Sequence, residues 1–207
     1  MGLPAKKVYR EARKIWKPEL KPAGFVEKDG RYYRTLDSGV VHLIGIGKDP
    51  HGGETFRVMC GVDALPLKEE VGGFGYMKHD GLMHLTPKGW DLNSGRWPCI
   101  TEEETKASVD AILPLIRDLA LPYLAPITTI TDVGNEINET RKPGLGWMKA
   151  RLFQLDGDLP RALETIERYA AWAAKPRNWG TKEHQQEDLA RAARIRSDIE
   201  QALSASK

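Results

Sequence analysis

The stretch ETFRVMCGVDA, residues 54–64, alternates so cleanly that a β-strand with two unlike faces is the natural fold for it. Phe56, Val58, Cys60 and Val62 fall on one side and Thr55, Arg57, Met59 and Gly61 on the other, because successive strand side chains point opposite ways. Two strand-like runs precede it. GRYYRTL (Gly30–Leu36) follows an Asp29-Gly30 turn signal, and GVVHLIGIGK (Gly39–Lys48) is a nearly continuous β-type run after Asp37-Ser38-Gly39. Connections this short join antiparallel neighbours, since parallel ones need a crossover of a dozen or more residues. The pattern predicts an antiparallel meander that Pro66 closes.

Helical periodicity flanks the meander. Val8, Tyr9, Ala12, Ile15 and Trp16 recur at helical spacing, with Pro4 suited to the first turn and Pro18, Pro22 and Gly24 ending the run. At Thr101 the sequence TEEE forms a capping box with Glu104. Ala107, Ala111, Ile112, Leu115, Ile116 and Leu119 are the expected buried stripe, and Pro114 is expected to kink the helix. The segment LPYLAPITTITDVGNEINE reads as a helical turn and then a short helix. The last third reads as a helix, an Asp156-Gly157-Asp158 turn, a helix stopped by Pro176, and a third helix from about Lys182 to Leu203. Leu163, Ile166, Tyr169, Ala170 and Ala173 form the stripe expected of a helical hairpin.

The composition of the 207-residue chain, with 41% hydrophobic and 29% charged residues, is that of a folded globular protein. No apolar run reaches the roughly 20 residues that span a bilayer, and the N-terminus has no apolar signal core. Cys60 and Cys99 are too few for a disulfide framework and read as reduced thiols in a cytoplasm. Charge is uneven. Residues 1–34 hold ten Lys/Arg against four acids, residues 35–140 eight against sixteen, and residues 141–207 thirteen against nine. An acidic middle between basic ends argues against one broad nucleic-acid surface.

The glycines of HLIGIGKDPHGGETF invite comparison with phosphate-binding loops. Gly45 and Gly47 begin a Gly-x-Gly-x-x-Gly pattern, but Pro50 stands at its third glycine. Gly47-Lys48 is followed by Asp49, not the hydroxyl residue of a P-loop, and the residues after Gly53 are β-patterned, so no helix N-terminus receives a phosphate. The stretch reads as a hairpin with a KDPHGG turn. Gly45 and Gly47 share a strand face and predict close approach by another element, or a bulge.

His79 and His84 lack the acidic context of a metalloprotease helix and the cysteines are not paired, so no metal or other cofactor is expected. Cys99 precedes a helix start, which could lower a thiol pKa, although a small buried hydrophobe is the simpler reading. His42 shares strand parity with Val40, Ile44 and Ile46, as a hydrogen-bonded core imidazole or as a site residue. The loop KGWDLNSGRWPC is the leading surface candidate, because Trp90, Arg96 and Trp97 are residue types enriched at interface hot spots.

The run LKPAGFVEKDGRYYR, followed by VVHLIGIGKD and TFRVMCGV, resembles a bacterial domain family of unknown function. In that family an N-terminal helix leads to a Gly-Phe, an aromatic-Arg strand and two long antiparallel strands. The Trp-bearing segment and IRDLALPYL also resemble it, so the likeness covers roughly residues 5–125. It implies an α+β sheet-and-helix domain and brings no activity. LFQLDGDLPRALETIERYAA is similar to one tetratricopeptide-type hairpin, and a single repeat cannot stack into a solenoid.

The fold expectation is α+β: an antiparallel sheet of three to five strands packed with helices on one face, followed by a C-terminal helical region. The expected domains are residues 1–140 and 141–207. The expected function is a non-catalytic cytoplasmic protein-binding module whose partner is another protein. Its candidate binding residues are Trp90, Arg96 and Trp97 in the loop, with His42 and Arg34 at any pocket against the sheet. Two alternatives are an immunity- or antitoxin-like protein whose acidic middle masks a basic toxin site, and an enzyme around His42, Arg34, His84 and Cys99.

Overall fold

A computed structural model describes residues 5–48, 54–71, 80–81, 97–176 and 181–205. The α+β expectation holds. Four strands follow one another across an antiparallel sheet: β1 (Val26–Lys28), β2 (Arg31–Thr35), β3 (Val40–Lys48) and β4 (Thr55–Ala64). The outer edge of β4 carries two short strands, β5 (Asp80–Gly81) at Met59–Cys60 and β6 (Trp97–Pro98) at Thr55–Phe56. β3 and β4 are sheet neighbours, so the glycine-rich stretch does join two strands; residues 49–53 of its turn lie outside the described residues.

Local chemistry sets the turns. Asp29 and Gly30 have φ of +52° and +74°, the two positive values a type I′ hairpin demands, and Lys28 pairs with Arg31 across them. Gly30 is required twice over, because a Cβ there would also lie 2.3 Å from the Tyr9 ring.

α1 (Ala5–Leu20) buries Val8, Ala12, Trp16 and Leu20, one per turn, while Tyr9 and Ile15 flank this line half-buried. The Trp16 indole donates to the Val109 carbonyl at 3.0 Å and packs on Tyr32, whose hydroxyl donates to the Ala12 carbonyl. Tyr32 lies directly opposite Ile44 on β3, so α1 covers the sheet face bearing Tyr32, Arg34, His42 and Ile44. On the opposite face the paired glycines make room for neighbouring strands rather than a separate element. A Cβ at Gly45 would lie 3.3 Å from Arg31 Cγ, and one at Gly47 would lie 3.2 Å from Met59 Sδ.

The capping box forms as expected. Thr101 Oγ1 accepts from Glu104 N, and Glu104 Oε2 accepts from Thr101 N, starting α3 (Glu102–Leu115). Its buried stripe differs from expectation: Thr105, Ser108, Val109, Ile112, Leu115 and Ile116 face inward, whereas Ala107 and Ala111 are exposed. Thr105 and Ser108 tolerate burial because their hydroxyls donate to the Thr101 and Pro98 carbonyls. Beyond Pro114 the helix continues as a π turn (Ile116–Ala120), in which the Leu121 N–H reaches the Ile116 carbonyl, before α4 (Leu121–Leu124).

The chain divides into two compact units, Met1–Asp63 with Met77–Ile127, and Ala64–Tyr76 with Thr128–Lys207. The second is helical: α2 (Leu65–Val71), α5 (Ile130–Glu136), α6 (Gly146–Leu155), α7 (Leu159–Ala173) and α8 (Lys182–Ala205). β4 ends just before Pro66, as expected, but Pro66 also stands in the first turn of α2, a helix the sequence pattern does not predict; Arg151 on α6 ties α2 down through Glu70 at 2.6 Å. The Asp-Gly-Asp turn behaves as read, with Gly157 at φ +81° and Asp158 capping α7 through Arg161 N. Ala150, Phe153, Ala162, Ile166, Tyr169, Ala192, Ile195 and Ile199 form one core among α6, α7 and α8. Leu163 and Ala170, expected on the α7 stripe, border that core half-buried while Ala162 and Thr165 are enclosed. No helix among the described residues is long and apolar enough to cross a membrane.

Candidate functional site

His42 and Arg34, eight residues apart, are brought together because β2 and β3 pair Arg34 directly with His42. The Arg34 guanidinium donates to His42 Nδ1 from Nη2 at 2.8 Å and from Nε at 3.2 Å. Arginine is always a donor, so Nδ1 carries no proton and Nε2–H donates to the Ile127 carbonyl at 2.7 Å. The imidazole is fully buried. Burial first, with the Arg34 charge adding to it and the Ile127 bond opposing, lowers the His42 pKa from its ordinary value. Arg34 is also fixed, donating to the Ala23 carbonyl and lying over the Phe25 ring. Both ring nitrogens of His42 are thus committed to structural bonds, the core-imidazole arrangement.

Trp97 lies half-buried in β6, its backbone paired with Phe56 at the sheet edge. Trp90, Arg96 and His84, like His51 and His79, lie outside the described residues. Cys99 is buried, its N–H donates to the Glu54 carbonyl, and burial raises its thiol pKa despite the helix start that follows. Among the described residues, no group of three His, Cys, Asp or Glu side chains could hold a metal ion.

The helical unit holds a feature that sequence reasoning missed. A cleft of about 220 Å³ opens between the 139–146 segment and α7, lined by Glu139, Thr140, Pro143, Arg168, Tyr169 and Trp172. Gly144 and Gly146 let the backbone press against its aromatics: a Cβ at Gly144 would lie 3.3 Å from the Trp172 ring edge, and one at Gly146 3.1 Å from Tyr169 Cβ. The Tyr169 and Trp172 rings sit 5.5 Å apart, tilted by 31°. Burial and its hydroxyl's bond to Asp188 hold the Tyr169 phenol well above the ordinary range, so the ring is a neutral apolar wall. Arg168 donates to Glu139 at 2.8 Å, to Glu164 and to Thr165, and its side chain remains about half exposed (48%).

The available signal was the PGLGW run, with one glycine just before and one at the start of α6, and Tyr169 and Trp172 three residues apart on α7. Comparison with family models, curated proteins and solved structures found no match.

Proposed function

We propose that this chain is a non-catalytic, cytoplasmic protein-binding module that engages another protein. The observation that carries the reading is the cleft on the helical unit, in which an indole and a half-exposed arginine share one opening. Tryptophan and arginine are the side chains that most often dominate protein interfaces. The cleft volume of about 220 Å³ falls below the ~300–1,000 Å³ usual for small-molecule sites and is closer to the bulk of one side chain.

The enzyme alternative draws less support from its residues. A general base at His42 would need a ring nitrogen free to take a proton, and both are engaged. A nucleophile at Cys99 would need a lowered thiol pKa, and burial raises it. The likeness of residues 5–125 to a bacterial domain family remains part of this proposal and adds no activity to it.

The test is affinity recovery of the tagged, full-length chain from its native host, with quantitative mass spectrometry. One protein recovered in near-stoichiometric amount is expected. A tagged chain that elutes alone from every growth condition overturns the reading.

A further inference from the structure

The outer face of α1 is basic along its whole length. Lys6, Arg10, Arg13, Lys14, Lys17 and Lys21 are exposed, whereas Val8, Ala12, Trp16 and Leu20 are buried. Lys21 stands one residue past the helix end, and its N–H donates to the Lys17 carbonyl, which continues the turn. At about 3.6 residues per turn the six bases fall within roughly 100° of the helix surface, over a length of about 22 Å. Lys6 with Arg10, Arg10 with Lys14, Arg13 with Lys17 and Lys17 with Lys21 are pairs four residues apart. Such neighbours sit about 5–6 Å from one another along a helix face.

Carboxylates from three elements already meet this row. Glu11 of α1 accepts from Lys14 at 2.9 Å and from Arg10 at 3.4 Å. Glu102 of α3 accepts from Arg10 at 3.1 Å, and Glu27 of β1 accepts from Arg13 at 2.7 Å, with the Lys17 charge also acting on Glu27. Three acids thus stand against six bases, and Glu19, at the edge of the row, pairs with Arg117 instead. The side chains of Arg10, Arg13 and Lys14 stay 57%, 59% and 64% exposed, so each can take a further acceptor from outside.

Neighbouring elements limit what can approach. α3 and the π turn after it lie beside α1, joined by the Trp16 bond to the Val109 carbonyl and by the Arg10–Glu102 and Arg117–Glu19 pairs. The helix therefore offers a crest, not the free rod that enters a DNA major groove. Tyr9 and Trp16 turn inward to the Ile46 and Val109 carbonyls, leaving no ring on the crest for a nucleic-acid base to stack on. The crest also carries no apolar side chain to sink into a lipid surface. Single carboxylates are what β1 and α3 already present to it, and an acidic protein surface presents more of the same.

From this we infer that the outer face of α1 docks an acidic helix of a partner protein, whose carboxylates recur three and four residues apart along one side. Laid along α1, such a helix sets its carboxylates at the spacing of the lysine and arginine pairs. The inference rests on the protein-binding reading but not on the cleft, so each site can fail without the other.

The experiment uses the full chain and fluorescein-labelled probes read by anisotropy at two salt concentrations. The first probe is an alanine-based helical peptide with glutamates three and four residues apart on one side. The others are the same composition with its glutamates spread around the helix, a glutamine version of the first, and a short DNA duplex. The one-sided acidic peptide is expected to bind at least about tenfold tighter than the other three, and high salt should weaken it. The triple reversal Lys6→Glu, Lys17→Glu and Lys21→Glu should weaken it by about tenfold or more, and the triple change to glutamine by less. Trp172→Ala, in the cleft, should leave it unchanged.

The docking role is overturned if the spread peptide binds equally well, if the duplex binds tighter, or if no peptide binds below about 1 mM. Indifference to the triple reversal, with a native melt, overturns it as well; should the reversal unfold, the glutamine variant decides in the same way. A chain that dimerises alone, and loses that dimer in the triple reversal, gives the face to a second copy and overturns it too. A host partner recovered equally well by the wild-type chain and by the triple reversal would leave the protein-binding reading standing and remove this face from it.

Discussion

Arg34 and Arg168 are each held by several acceptors, yet they sit in opposite settings. Arg34 lies against a fully buried imidazole, a backbone carbonyl and the Phe25 ring, in the sheet unit. Arg168 meets two carboxylates and a buried threonine at the mouth of a cleft in the helical unit. In the first case the polar group completes a core, since an enclosed donor or acceptor left alone is costly. In the second, water still reaches the guanidinium, so its partners shape a surface and contribute little stability. Two charged groups with similar bond counts therefore lead to different expectations, and burial decides between them.

The comparison predicts a descending series of effects. Trp16→Ala removes the indole that joins α1 to α3 and its bond to the Val109 carbonyl, and should cost about 3–5 kcal/mol in denaturant unfolding. A cost below about 1 kcal/mol would mean that the α1-covered face is not the core described. His42→Ala strands the Arg34 donors and the Ile127 carbonyl together, with an expected loss of about 2–3 kcal/mol.

That site also predicts a pH dependence. Folding lowers the His42 pKa from 6.5, so as pH falls through that value the unfolded chain takes up a proton that the folded chain refuses. Stability is full above about pH 6.5 and declines below it, down to the folded pKa. His42→Gln keeps an acceptor for Arg34 and a donor for Ile127 but cannot titrate, so its unfolding free energy should fall less steeply over this range. Equal slopes for both chains would show that His42 is not the group involved.

Smaller effects are expected where contacts are local or wet. Thr101→Ala loses the capping-box acceptor for Glu104 N and should cost about 1 kcal/mol, measured as a shift in denaturation midpoint. The reversal Arg141→Glu should leave the melting midpoint within about 2 °C, because the residue is exposed. A larger drop would place the 139–146 segment among the stabilising elements and blur the contrast between the two arginines.

What could be read from the sequence was whatever its neighbours along the chain determine. The Asp29-Gly30 turn, the Thr101–Glu104 box and the Asp156-Gly157-Asp158 turn are each decided within four residues, and each formed as expected. Strand alternation revealed the meander for the same reason. His42 could be assigned a face but not a partner, because its second bond comes from Ile127, 85 residues later. The inward turn of Ser108 was hidden likewise, since its acceptor, the Pro98 carbonyl, lies ten residues away and outside the helix. The cleft needed the docking of a loop onto α7, and no periodicity encodes that. For Trp97, only its edge-strand pairing was added to the sequence reading.

The contact between Gly30 and Tyr9 has a consequence for how this sequence can drift. A side chain at position 30 meets a positive φ and an aromatic ring at once. Shrinking Tyr9 lifts only the steric half of that constraint and sacrifices the Tyr9 hydroxyl's bond to the Ile46 carbonyl. Changes at 9 and 30 are thus epistatic with unequal directions: position 9 can vary while 30 stays glycine, but 30 cannot vary first. An alignment of relatives should show a glycine at 30 that outlasts the aromatic at 9.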